Sequence, residues 1–221
     1  MQRKTCIKDS QVQTFEQRSP EWFSARLGKV TASRVADVIA KTKNGYSTSR
    51  ENYAVELALE RITGNRQESF TNAAMQWGTD QEPFARAAYE AAYGILVEEV
   101  GLVPHPTIAM AAASPDGLVG TNGLIEVKAP NSATHLKTLL SGKADSRYIP
   151  QMQWQLACTG REWCDFVSFN PRFPEHLQLA IYRVNTDAQK IKELENEVSQ
   201  FLTEVDLIVE KLNGITVPSN S

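Results

Sequence analysis

Cysteine is scarce in this 221-residue chain: Cys6, Cys158 and Cys164 are its three, with no C-x-x-C pair and no spacing typical of zinc ligands. That leaves no basis for a disulfide framework or a zinc site, and the thiols read as small buried groups in a reducing compartment. Long apolar runs are missing as well, so nothing reads as a membrane span. The opening stretch, Met1 to Ser10, carries basic residues but lacks the apolar stretch of a secretion signal. The expectation is a cytosolic protein with no membrane partner. Internal repeats and low-complexity tracts are also lacking.

What is present is an ordinary globular composition, 42% hydrophobic and 22% charged. The length suits one large domain, expected over residues 1–215 with a frayed tail at 216–221. The net charge of −3 speaks against a generic nucleic-acid binder, but the charges are segregated. Arg26 to Arg50 holds six bases against Asp37 alone, and Lys128 to Arg147 holds four against Asp145. Asp187 to Lys211 carries seven acids and three bases. Such a distribution permits a basic groove with acidic flanks, which would concentrate a polyanion in one place.

The first ninety or so residues read as mainly helical. Ser19-Pro20-Glu21 supplies an N-cap, a first-turn proline and a favourable acid for a short helix through Leu27. A second helix is expected from Thr31 or Ala32, with Val35, Val38 and Ile39 on one face, then a loop from Lys41 to Ser49. Helices follow at Glu51–Thr63, stopped by Gly64, and at 79–93, closed by Gly94. Beyond this the period changes. Ile95–Val103, Ile108–Ala113, Leu124–Ala129, Trp163–Phe169 and Leu177–Val184 behave as strands, with helical stretches near Ala133–Leu140 and Ile149–Cys158. Asp187–Leu212 is a long amphipathic helix. The order implies an α/β domain with a mixed central sheet flanked by helices.

Two stretches carry the chemistry: Ser114-Pro115-Asp116-Gly117 and Leu124-Ile125-Glu126-Val127-Lys128. On a strand Glu126 and Lys128 project to one side and Val127 to the other. Asp116, on a tight turn, joins them if the intervening residues form a hairpin with its tip at Gly120 to Gly123. Two convergent carboxylates suit a hard cation such as Mg²⁺, and the lysine beside them can hold a water, stabilise an oxyanion or, if burial lowers its pKa, act as a base. The bland reading is a surface ion pair. Against it, Leu124, Ile125, Val127 and Ala129 surround the charges, and burying such a pair without a functional reason is costly.

Together with Arg26–Ser33 (RLGKVTAS), Gln76–Arg86 (QWGTDQEPFAR) and Tyr148–Gly160 (YIPQMQWQLACTG), this core resembles the phage lambda-type alkaline exonucleases, viral recombinases of the PD-(D/E)xK nuclease superfamily. The resemblance runs in order from about Glu21 to about Val184. It implies a restriction-endonuclease-like core and a processive 5′-to-3′ exonuclease on double-stranded DNA ends that leaves a 3′ overhang. It also implies a homotrimeric ring around the duplex and a single-strand annealing protein as partner, in a bacterial host cytosol with a phage or prophage gene. By position, Asp116, Glu126 and the Val127 carbonyl would ligate Mg²⁺, with Mn²⁺ as a possible substitute. Lys128 would position or activate the attacking water, and Glu82 would help hold metal-bound water. Arg26, Ser33, Ser114 and Gln151 would clasp the 5′ terminal phosphate, Tyr148 would sit near the site, and Met75 would wedge the end base pair.

Each assignment has a rival. Thr79-x-x-Glu82 spells a capping box, which would leave Glu82 satisfying helix-end amides. Arg26 could be a surface residue at a helix end, Gln151 a solvated first-turn residue, and Met75 plain packing. Trp22, Trp77, Trp154 and Trp163 read as core, and His105, His135 and His176 match no catalytic position. The same core also serves endonucleases and iron–sulfur nucleases; the cysteine count argues against the latter. A DNA-end binding module that guides an annealing protein without cutting is the reading from another class.

Overall fold

The structure is a computed structural model and describes residues 15–67 and 72–215. The expected tail at 216–221, the opening ten residues and Cys6 lie outside the described residues. The first helix, α1 (Pro20–Arg26), starts where Ser19 accepts a hydrogen bond from the Trp22 N–H at 3.1 Å. A two-residue strand, β1 (Val30–Thr31), follows. The expected second helix is shorter than its apolar pattern suggested: a 3₁₀ turn over Ala32–Arg34 leads into a single α-turn, α2 (Val35–Val38). The expected loop from Lys41 contains a small hairpin, β2 (Lys41–Thr42) with β3 (Gly45–Tyr46). Two long helices come next, α3 (Thr48–Thr63) and α4 (Ala73–Tyr93), closed by Gly64 and Gly94 in the left-handed conformation that spares glycine a Cβ clash.

Helix α4 begins six residues before the sequence expectation, because Asn72 caps it by accepting from the Met75 N–H. Thr79 is therefore mid-helix, its hydroxyl donating to the Met75 carbonyl at 3.2 Å, so the capping-box reading of Glu82 falls. The apolar run at 95–103 also divides, into β4 (Val97–Glu98) and β5 (Val103–Pro104), which join different sheets.

The remaining strands are β6 (Ala111–Ala113), β7 (Gly117–Val119), β8 (Gly123–Lys128), β9 (Trp163–Phe169) and β10 (Leu179–Asn185); the helices are α5 (Ser132–Ser141), α6 (Ile149–Thr159) and α7 (Ala188–Asn213). The five-stranded sheet runs β10-β9-β8-β7-β4, with β8 and β9 parallel and the other pairs antiparallel. A second sheet, β1-β6-β5, pairs the α1 region with the segment leading to Ser114. Strand β8 is covered on both faces, with Gly123 through Val127 all buried. Leu124 faces a core shared with Met152 and Leu156 of α6 and with Val198 and Phe201 of α7. Ile125 and Val127 face Ala85 and Tyr89 of α4. Glu126 and Lys128 thereby share the α6 face of β8.

Candidate active site

The β7–β8 hairpin forms as expected, with Gly117 opposite Ile125. Continuing that register sets Asp116 across from Glu126, and Asp116 Oδ2 accepts the Val127 N–H at 2.7 Å. Glu126 is buried at 1% exposure. Its Oε1 accepts from Gln151 Nε2 at 2.6 Å and also contacts the Lys128 ammonium; its Oε2 accepts from Gln155 Nε2 at 2.5 Å. A buried carboxylate needs such partners. Lys128 Nζ lies 4.8 Å from the centre of the Tyr148 ring, which places Tyr148 at the site. Gln155 was missed in the sequence; its signal was a position four after Gln151, on the same helix face.

The electrostatics are those of crowded acids. Burial, and then the charges of Glu126 and Glu82, push the Asp116 carboxyl well above its ordinary range. Burial would lower the Lys128 ammonium, but Glu126 and Asp116 outweigh it and hold it above its ordinary value. The Lys128 ammonium donates to Glu126 Oε1. Glu82, buried on α4, is gripped by Arg18 at 2.5 Å and Arg86 at 3.3 Å.

Among the described residues no three His, Cys, Asp or Glu side chains converge as a closed metal cage. Mg²⁺ does not require one. It is commonly held by one or two carboxylates with waters and substrate phosphates completing the shell. Asp116, Glu126 and the Val127 carbonyl fit it, because the crowding that raises the Asp116 pKa is what a cation relieves.

The remaining candidates divide. Arg26, Ser33 and Met75 line one cavity of about 270 Å³ with Trp22, Lys29 and Arg66. Ser114 adjoins it, its hydroxyl accepting from Arg26 at 3.2 Å and from the Trp22 indole at 3.0 Å. The Arg26 guanidinium lies 4.0 Å over the Trp22 ring, and burial, with Arg66 nearby, lowers its pKa to about 10, still a cation at neutral pH. Ser33 is exposed on the 3₁₀ turn, so it owes nothing to a long helix dipole. Gln151 stands apart from this group, on Glu126. A larger opening, about 640 Å³ against α7, contains none of the candidate residues.

A family profile for the YqaJ-like viral recombinase domain matches residues 21–162, a span that contains the acids, the lysine and the cavity arginine. The chain belongs to this family. Among solved structures it is similar to an alkaline exonuclease from Laribacter hongkongensis, at 53% identity and a TM-score of 0.82, over 88% of this chain and 96% of that one. A second structure of that exonuclease contains dAMP. A phage-related exonuclease from Haemophilus somnus, 16% identical with a TM-score of 0.65 over 83% and 96% of the two chains, shares the fold. An uncharacterized protein of Acanthamoeba polyphaga mimivirus is 27% identical over 169 residues, 69% of this chain and 29% of that protein's length. The family and the Laribacter relative together make this chain a nuclease.

Proposed function

We propose that the chain is a Mg²⁺-dependent exonuclease that digests one strand of linear double-stranded DNA from its 5′ end, releasing mononucleotides and leaving a 3′ overhang for phage-type recombination. The observation that carries this is the placement of Asp116, Glu126 and Lys128 beside a cation-lined cavity bounded by Ser114. When mononucleotides are released, one nucleotide separates the terminal phosphate from the bond to be cut, and a cavity for the one next to acids for the other suits cleavage at ends. The dAMP bound to the Laribacter enzyme accords with a mononucleotide product.

In this reading Asp116, Glu126 and the Val127 carbonyl hold the cation, which when bound polarises a phosphoryl oxygen and lowers the pKa of water. Lys128 positions the attacking water and faces the charge that develops on the phosphate. Gln151 and Gln155 hold the Glu126 carboxylate in one rotamer, and Glu82 adds charge from α4. Arg26, Ser33 and Ser114 take the terminal phosphate, fixing the register of the strand. Met75, exposed at the cavity's rim, abuts the end base pair. The reading extends to a homotrimeric ring around the duplex and a single-strand annealing partner, in the cytosol of a phage-bearing host.

The test is digestion of linear duplex, with and without a 5′ phosphate, in Mg²⁺ or EDTA, by the protein and its Lys128→Ala variant. Mononucleotide release that needs Mg²⁺, Lys128 and an end, and is faster with the phosphate, supports the reading. Binding without cleavage points to an end-binding module; cutting of closed circles points to an endonuclease.

A further inference from the structure

Most arginines in the described residues face a carboxylate: Arg34 pairs with Asp37 and Glu56, Arg50 with Glu204, Arg61 with Asp206, and Arg183 with Asp165. Two that do not, Arg26 and Arg172, share another feature. Each sets its guanidinium over a tryptophan ring, Arg26 over Trp22 and Arg172 over Trp77, both at 4.0 Å from the ring centre. Arg26 lines the phosphate cavity. Arg172 lies elsewhere, on the loop that follows β9.

That loop is anchored to the catalytic strand. Strands β8 and β9 run parallel with Lys128 opposite Ser168, so residues 129–131 and 170–172 leave the sheet at the same end. Asn170 is fully buried; its amide donates to the Pro130 carbonyl at 3.0 Å, and its Oδ1 accepts the Arg172 N–H at 3.1 Å. On the far side Phe173 packs edge-on against His135, 4.9 Å between ring centres. The backbone under Arg172 is thus tied, through Asn170, to a residue two places past Lys128. Its side chain is exposed yet held by an indole platform, which leaves the edge of the guanidinium open.

We propose that Arg172, set over Trp77, binds a backbone phosphate of the duplex at the end of the sheet where Lys128 emerges. A planar fork of donors without a carboxylate partner suits phosphate oxygens. An enzyme that removes every nucleotide in turn has no use for base readout at such a contact. The inference rests on the nuclease reading.

The test is equilibrium binding to duplexes with phosphorothioate ends that resist hydrolysis, in Mg²⁺, across 50 to 200 mM KCl. One lost phosphate contact reduces the salt slope by about 0.9, so the affinity gap between the parent and Arg172→Gln should narrow about 3.5-fold over that range. The loss should be equal on duplexes of unrelated sequence, Arg172→Lys should keep the slope, and Tm should fall by no more than the roughly 1–4 °C that one exposed cation–π contact supplies. An Arg172→Gln slope equal to the parent's, or an affinity loss accompanied by a larger fall in Tm, overturns the proposal. A parent protein that neither binds nor degrades duplex ends overturns the nuclease reading instead.

Discussion

Replacing Gln155 with methionine keeps the length of a fully buried side chain and removes a donor that sits 2.5 Å from Oε2 of Glu126. Hydrogen bonds to charged groups contribute roughly 1.5–3 kcal/mol. In a domain of this size each kcal/mol moves Tm by roughly 2–4 °C, so Gln155→Met should melt roughly 3–12 °C lower in the absence of divalent cations. The assay that isolates the contact is a double-mutant cycle with Glu126→Ala, read by urea unfolding. The expected coupling is at least about 1 kcal/mol, because with Glu126 gone the donor has no anion to lose. Gln153→Met is the control: Gln153 lies on the same helix but donates to the Asn185 carbonyl at 2.8 Å, so it should be additive with Glu126→Ala. A Gln155–Glu126 coupling under about 0.5 kcal/mol refutes the claim that this glutamine holds the carboxylate.

His105 should govern acid stability. Its Nδ1 accepts the Ile108 N–H at 3.2 Å, it stacks on Trp154, and burial lowers its pKa from 6.5 to about 4 although Glu195 lies 3.3 Å from Nε2. The folded state resists its protonation, so the contribution is complete above pH 6.5 and about 3 kcal/mol is lost as pH falls to about 4. His105→Asn, which can still accept at the turn, should flatten that part of the stability profile; an unchanged slope in urea unfolding between pH 6.5 and 4 would falsify the assignment. Gly28 has φ of +65°, and an added Cβ would stand 2.5 Å from Arg61 Cγ. Gly28→Ala should cost roughly 1–3 kcal/mol by urea midpoint, and a neutral result would show that neither the positive φ nor Arg61 resists a side chain there. Arg26→Gln should slow digestion of 5′-phosphorylated ends roughly 10- to 150-fold and leave 5′-hydroxyl ends little changed. Equal slowing of both would deny it the terminal phosphate.

Much of the local architecture was legible because its causes are local. Ser19 and Asp187 cap helices with their own side chains, Gly64 and Gly94 end them with positive φ, and the alternation in β8 reports a strand whose even positions carry the charges. The hairpin joining Asp116 to Glu126 was readable too, since a Pro-Asp-Gly turn and a glycine-bounded tip leave few other paths. Errors fell where tertiary contacts override pattern. Val35, Val38 and Ile39 have helical spacing, yet the first turn is 3₁₀ and the α-helix ends at Val38, just before the β2–β3 hairpin opens at Lys41. The run at 95–103 has strand composition throughout, but its ends pair with different partners.

The site shows the same division in sharper form. Sequence alone nominated the groups for the proposed chemistry, because a D-x₉-E-x-K spacing brings two carboxylates and a lysine to one side of a sheet if the intervening residues form a hairpin. Only the tertiary structure decided what surrounds them: Arg26 reaching Ser114, Gln151 and Gln155 both turned onto Glu126, and Arg172 set over Trp77. Those contacts join segments tens of residues apart, and their strength depends on burial and on neighbouring charge. Neither quantity is written in local spacing; both arise when α1, α4, α6 and the β9–β10 loop pack around one strand.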